Sequence, residues 1–369
     1  MFSKFFQANE SQQKVADHAQ EIIRQKLNDY RSTSFASGVL NVCQLHGISL
    51  NKKIIEVKLT VPFPCQSEFA SLAQELTQVL GQTLKFLLEL NVIPVRKHSI
   101  SGIKNIIAIA SGKGGVGKST TAVNLAYALM AEGAKVGILD ADIYGPSIPL
   151  MLGLQGIKPT SSDGKLITPL ESHGLSAMSI GFLVDEKDAT VWRGPMASRA
   201  FDQLLNETAW QDLDYLIVDM PPGTGDIQLT LGQKMPVAAA VIITTPQDIA
   251  LADAVKGIAM FAQVKVPVLG IIENMSYHLC SHCGHQSSLF GKGGGEKIST
   301  DHQVSLLGQL PLDITIRQAA DTGDSPLISN ITGELAKQYR KIATTMAAKL
   351  FNQYDARSPE TTEILIKEL

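Results

Sequence analysis

The sequence has little charge, few aromatic residues, few cysteines and no long apolar run. Charged residues make up 18% of the 369-residue chain and the net charge is −3. That excludes the polyelectrolyte bias of a disordered chain and the basic excess of a dedicated nucleic-acid binder. Four cysteines make no disulfide framework, so a reducing compartment is expected, most simply the cytoplasm. No stretch approaches the ~18 consecutive apolar residues of a membrane span, and no membrane partner is expected. Residues 1–24 contain Glu10, Asp17 and Glu21 and no apolar block, which is wrong for a secretory leader or an Arg-rich transit peptide. Neither an internal repeat nor a low-complexity tract appears. What is present is 44% hydrophobic residues, enough for a sizeable core. The length suggests two domains at ~150 residues each.

Two rhythms meet near residue 100. Val15, Ala19, Ile22, Ile23 and Leu27 recur at helical spacing. A strand is expected over 38–45. A clearer one covers 55–61, where Ile55, Val57, Leu59 and Val61 alternate with Glu56, Lys58 and Thr60. Pro62 and Pro64 end it. A helix is expected over 67–90, with Phe69, Leu72, Leu76, Leu80, Leu84 and Leu87 on one stripe. Residues 1–97 therefore read as a small α-β-β-α domain. Residues 98–104 form a linker, 105–355 a larger domain and 356–369 a tail. The larger domain alternates apolar strands (106–110, 135–139, 215–218, 238–244, 268–272, 306–310) with helices, notably 120–131 and 249–264. Such alternation predicts an α/β fold with a mostly parallel sheet covered on both faces.

The sharpest motif is Ser111-Gly112-Lys113-Gly114-Gly115-Val116-Gly117-Lys118-Ser119-Thr120. It has the form G-x-x-x-x-G-K-S between a buried strand and an amphipathic helix. Glycines let consecutive N–H groups curl inward at phosphate oxygens. The following helix adds its unsatisfied amides and positive dipole end. Lys118 would neutralise the β- and γ-phosphates of ATP, and the Ser119 hydroxyl would ligate Mg²⁺.

Two acidic segments follow expected strands. Asp140-Ala141-Asp142-Ile143-Tyr144-Gly145-Pro146-Ser147 lies past one carboxyl end, the ligand edge of a parallel sheet. Alternation along an extended chain would put Asp140 and Asp142 on one side, for a magnesium-bound water and an attacking water. Asp219-Met220-Pro221-Pro222-Gly223-Thr224-Gly225-Asp226 follows four apolar residues. Asp219 has the form of a Walker B carboxylate that contacts Mg²⁺ through water. The Gly223 amide is expected to sense a γ-phosphate, which makes the segment a switch.

Cys280-Ser281-His282-Cys283 follows the 268–272 strand. Two thiolates with two residues between them can grip one soft metal centre. Zinc and iron–sulfur clusters both take four ligands. Either nearby histidines complete a zinc site, or two chains pool their pairs around one cluster across a two-fold axis. A dithiol redox pair is the third reading, without a thioredoxin-like context to support it. Cys43 and Cys65 read as buried small hydrophobes.

The combination resembles known families. The extra lysine, Lys113, makes the loop similar to the deviant phosphate loop of the MinD/ParA/nitrogenase-iron-protein class, in which that lysine reaches across a dimer to the partner's ATP. Adding D-A-D-I-Y-G-P-S, W-R-G-P-M at 192–196, D-M-P-P-G-T-G-D and the late C-x-x-C, residues 105–348 resemble the Mrp/ApbC family of P-loop ATPases that carry iron–sulfur clusters. The N-terminal part looks like the small domain of many bacterial members, related to a module of other iron–sulfur assembly proteins. The resemblance implies a homodimer that binds a [4Fe–4S] cluster through Cys280 and Cys283 of each chain. It implies delivery to apoproteins and slow ATP hydrolysis. It assigns Asp140 to the metal shell, Asp142 to the attacking water and Asn274 to the adenine. A positioning ATPase like MinD or ParA and a zinc-stabilised nucleotide-binding scaffold are the competing readings. The short, charge-mixed stretch 360–369 is unlike the basic amphipathic membrane helix of MinD.

Overall fold

A computed structural model describes residues 18–51, 54–161, 164–184 and 194–356. Val15, Trp192, Arg193 and the tail from 357 onward lie outside the described residues.

The N-terminal unit opens with α1 (18–29), which buries Ile23 and Leu27. Strands β1 (Gln44–Asn51) and β2 (Ile54–Val61) are antiparallel. Helix α2 (Gln66–Leu80) then crosses to β3 (Thr83–Leu90), which pairs parallel with β2 from Ile54↔Thr83 to Val61↔Leu90. Two expectations fail here. The helix expected over 67–90 stops at Leu80. Gly81 takes φ 63° and its N–H closes the helix on the Thr77 carbonyl at 3.0 Å. Beyond it the period changes from 3.6 to 2: Leu84 faces the core and Leu87 faces solvent. The strand expected over 38–45 begins only at Gln44, because Val39–Asn41 form a 3-10 turn.

The larger unit contributes β4 (Ile103–Ala110), β5 (Val136–Asp140), β6 (Leu170–Ser172), β7 (Leu175–Ser179) and β8 (Leu213–Asp219). It continues with β9 (Ala239–Thr244), β10 (Val268–Leu279), β11 (Gln286–Ser287) and β12 (Leu306–Pro311). Its helices are α3 (Lys118–Ala131), α4 (Ile148–Met151), α5 (Gly194–Asn206), α6 (Asp226–Lys234) and α7 (Asp248–Gln263). They continue with α8 (Gly294–His302), α9 (Ile314–Thr322), α10 (Pro326–Ser329) and α11 (Glu334–Ala356). In space the strands run β11-β10-β9-β4-β8-β5-β7-β6, with β12 beside β10. Pairings are parallel from β10 through β7, and antiparallel only at the two hairpin edges. This is a mostly parallel P-loop sheet. β5, β8 and β9 are buried at every residue, because helices cover both faces. That explains their unbroken apolar runs.

One continuous hydrophobic core includes residues of both units. At their junction Phe63 stacks near Phe351, with ring centres 5.9 Å apart. The buried Glu132 carboxylate, just past α3, accepts from Arg340 Nε at 2.7 Å and from the Ser67 amide at 2.8 Å. Asn105 on β4 bonds the Val95 amide and the Ile93 carbonyl at 2.8 and 2.9 Å. Among the described residues no helix is long and apolar enough to cross a membrane.

Candidate functional site: a phosphate cradle and a cysteine hairpin

The crevice at the carboxyl ends of the parallel strands collects the predicted residues. β4 ends at Ala110, the chain curls through 111–117, and α3 starts at Lys118. Gly117 has φ 82°, a left-handed turn that aims the next amides inward. A Cβ there would stand 2.3 Å from Asn274 Nδ2, and one at Gly112 only 2.2 Å from the Asp253 carbonyl oxygen. Gly112 is therefore demanded by the approach of α7. The Ser111 hydroxyl donates to the Lys113 carbonyl at 2.9 Å, and Thr121 Oγ1 to the Gly117 carbonyl at 2.8 Å. These bonds hold the loop around a cleft of about 200 Å³. Gly114, Gly115, Ser119, Thr120, Asp142 and Pro222 are on its walls. Val116 is buried and contributes its carbonyl to a bond from Asn274.

Strand register places the two aspartates together. Asp140 on β5 lies opposite Asp219 on β8, and both are fully buried. Lys118 Nζ is 2.6 Å from Asp219 Oδ1 and 3.2 Å from Ser119 Oγ. The other carboxylate oxygen, Asp219 Oδ2, is buried without a partner. Asp140 accepts from Ser179 Oγ at 3.0 Å and from the amides of Asp142 and Ile148 at 3.1 and 3.3 Å. Burial, with the adjacent Asp219 charge, pushes the Asp140 carboxyl up to about 7, while Lys118 and the hydrogen-bond donors pull it back. Two buried carboxylates face one ammonium here, and one oxygen is orphaned. A divalent cation with its waters supplies the missing charge and the missing donor, so these residues fit magnesium.

β5 ends at Asp140, and Asp142 follows two residues later, where its carboxyl feels the same Lys118 and Asp219 charges as Asp140 does. Asp142 borders the cleft, and burial raises its carboxyl pKa against the pull of Lys118. Lys113 Nζ rests 3.4 Å from Gln247 Oε1. The Gly223 amide, expected to be open to a γ-phosphate, donates to the Ser111 carbonyl at 2.9 Å. Asn274 Nδ2 likewise donates to the Val116 carbonyl at 2.9 Å, so its amide nitrogen braces the loop. Ser179, Gln247 and buried Glu273 were not foreseen. Their segments carry no motif: strand register brings Ser179 and Glu273 to the site, and Gln247 arrives as the N-cap of α7.

The cysteine pair sits on a separate rim. β10 outlasts its expected end at 272 and runs to Leu279, where it pairs with β11 through Leu279↔Gln286. The hairpin turn is closed by Cys280 N–H to the His285 carbonyl at 3.0 Å and by Gly284 N–H to the Cys280 carbonyl at 2.8 Å. Cys283 is exposed and Cys280 half-exposed. Backbone amides of Cys283 and His282 and the Cys283 thiol aim at Cys280 sulfur and lower its pKa, which favours the thiolate a metal needs. His278 Nδ1 is engaged with the Leu312 carbonyl at 3.2 Å. Among the described residues no group of three or more His, Cys, Asp and Glu side chains converges as a metal site. Cys43 and Cys65 are buried and unbridged. Burial pushes the Cys43 thiol up to about 12 and Cys65 well above its ordinary value. They are the inert core thiols expected.

A strand–loop–helix cradle beside register-paired aspartates, in a parallel sheet, defines a P-loop nucleotide-binding protein. Residues 102–347 match the family model described as ParA, NUBPL iron-transfer P-loop NTPase. A protein named iron-sulfur cluster carrier protein from Escherichia coli (strain K12) is 50% identical over 353 residues, covering 93% of this chain and 96% of its own. The mouse protein named iron-sulfur cluster transfer protein NUBPL is 46% identical over 286 residues, covering 77% of this chain and 86% of its own. Among solved structures, a nucleotide-binding protein from Archaeoglobus fulgidus in complex with ADP superposes with TM-score 0.54 at 40% identity. That match covers 60% of this chain and 87% of the other. The chain belongs to the NUBPL iron-transfer P-loop NTPase family.

Proposed function

We propose that this protein carries iron–sulfur clusters to apoproteins, and that ATP binding with slow hydrolysis at the phosphate loop governs the delivery. The observation that carries the reading is the coexistence of two incomplete sites in one chain. One is a cradle whose buried Asp219 Oδ2 lacks a partner, and the other an exposed C-x-x-C hairpin whose amides favour the thiolate. Relatives bearing the carrier name match over nearly the whole chain, and those bearing the transfer name over 77% of it or less.

At the loop, Lys118 transfers its charge from Asp219 to the β- and γ-phosphates. Ser119, Asp140 and Asp219 would hold Mg²⁺. Magnesium supplies charge neutralisation at the phosphates when bound. Asp142 orients the attacking water, and Lys113 swings from Gln247 to the nucleotide of the partner subunit. Gly223 exchanges Ser111 for the γ-phosphate. Asn274 keeps its bond to Val116 and offers Oδ1 to the adenine amine.

The cargo is a [4Fe–4S] cluster. One chain supplies two thiolates where four are needed, so Cys280 and Cys283 of two chains would meet across a two-fold axis. Residues 105–355 do this work, in the cytoplasm, with 1–97 as an attached module. The test is anaerobic reconstitution with iron and sulfide, then transfer to an apo-enzyme that regains activity on receiving a cluster. A brown dimer that activates the acceptor, and a colourless Cys283→Ala variant, support the carrier. Stoichiometric tightly held zinc with no acceptor activation contradicts it and favours the scaffold.

A further inference from the structure

Phosphate loop and cysteine hairpin are bridged by one strand, β10, and the bridge contains a break. Asn274 bonds the loop through Val116. The next residue, Met275, has φ 55°, a left-handed backbone that a non-glycine residue adopts only under constraint. Its terminal methyl lies 3.8 Å from the place a Cβ would occupy on Gly117. Parallel pairing with β9 ends at Glu273↔Thr244. Pairing with β12 jumps from Glu273↔Gln309 to Tyr277↔Pro311, so four steps along β10 oppose two on its neighbour. The chain then enters the hairpin at His278↔Ser287. Asn274 is six residues from Cys280, at most about 20 Å of extended chain.

The break is clamped from one side. Glu273 is wholly buried. Its Oε1 accepts from the Gly295 amide at 2.7 Å, and its Oε2 accepts from Ser276 Oγ at 2.5 Å and Gln309 Nε2 at 2.8 Å. Glu273 thus ties both ends of the irregular segment to α8 and β12. Asn274 and Met275 meet the phosphate loop at Val116 and Gly117, and the occupant of that loop changes. A constrained residue between a fixed clamp and a ligand-responsive loop has the form of a two-state element.

Granting the carrier function proposed above, we infer that Asn274–Met275 is the pivot through which nucleotide at the loop sets the posture of the Cys280–Cys283 hairpin. Both are positioning residues toward the cluster; neither touches it. A phosphate that draws the loop inward pulls Asn274 through Val116, and the left-handed Met275 converts that pull into rotation of the strand beyond.

The experiment is hydrogen exchange on the full-length, cluster-free, reduced chain, with and without a non-hydrolysable ATP analogue and Mg²⁺. It reads the Cys280 and Gly284 amides. In the parent chain the analogue should change their exchange at least about threefold. Met275→Gly, which frees the backbone, should bind the analogue within about threefold of the parent Kd yet show less than about 1.5-fold change. Met275→Asn, which tolerates left-handed φ, should keep a response of at least twofold. Should Met275→Gly not fold, Ser276→Ala opens the clamp and should also blunt the response. Parent amides indifferent to bound analogue, or full responses in Met275→Gly and Ser276→Ala, overturn the pivot alone. Failure of the parent chain to bind the analogue at all overturns the carrier reading with it.

Discussion

Asp140→Asn should make the nucleotide-free protein more stable at alkaline pH, and the gain should vanish on the acid side. Asp140 is wholly buried opposite Asp219, and its carboxyl titrates near 7 instead of the ordinary 3.8. The folded state thus holds a proton that the unfolded chain releases. A raised carboxyl pKa gives stability that is complete below about 4 and is lost as pH climbs through about 7. At ~1.36 kcal/mol per pH unit the whole loss is about 4 kcal/mol, an upper figure for a buried pair that shares one lysine. About 2–3 kcal/mol of it falls between pH 5 and pH 8. Asparagine keeps an acceptor for Ser179 and the Ile148 amide but has no charge to bury. Thermal unfolding without nucleotide or magnesium should place the variant roughly 3–6 °C above the parent at pH 8, with a much smaller gap at pH 5. Added Mg²⁺ and nucleotide should narrow or reverse the gap, because they give the ionised carboxylate its counter-charge. A pH-independent difference, or an asparagine variant that is weaker at pH 8, would refute the reasoning.

Lys118→Ala removes the ammonium that holds Asp219 at 2.6 Å, and should lower affinity for a fluorescent ATP analogue by about 10–100-fold, read by titration. Asp142 lines the cleft beside the loop, so in Asp142→Ala binding should stay within about threefold while phosphate release slows by about 100-fold or more. Arg340→Ala leaves the buried Glu132 carboxylate with only the Ser67 amide, and should cost about 3–5 kcal/mol in urea unfolding. Adding Glu132→Gln to that variant should recover part of the loss.

The phosphate cradle was legible because its chemistry is contiguous: glycines, lysine and serine must follow one another for one loop to fold around a phosphate. The long helices α3 and α7 and the buried strands were legible through period and apolar runs. Strands β6 and β7 were missed because they are short, and Ser172 and Ser179 break their apolar pattern. The stretch 83–90 fooled the helical count because leucines at 84 and 87 fit a helix as well as half of them fit a strand; Gly81 decided the matter. Contacts made by register were invisible. Nothing local says that Asp140 faces Asp219, that Ser179 holds Asp140, or that Asn274 bonds a residue 158 positions away. The left-handed Met275 has no signature either, since methionine is not a turn residue.

The most direct test of the central claim is native mass spectrometry of the anaerobically reconstituted chain, with iron, sulfide and zinc counted in the same sample. The expected result is one cluster of four irons per two chains, dissociation to monomers when the cluster is stripped, and no cluster on Cys280→Ala or Cys283→Ala. A cluster retained on a single chain, or zinc in its place, would contradict it.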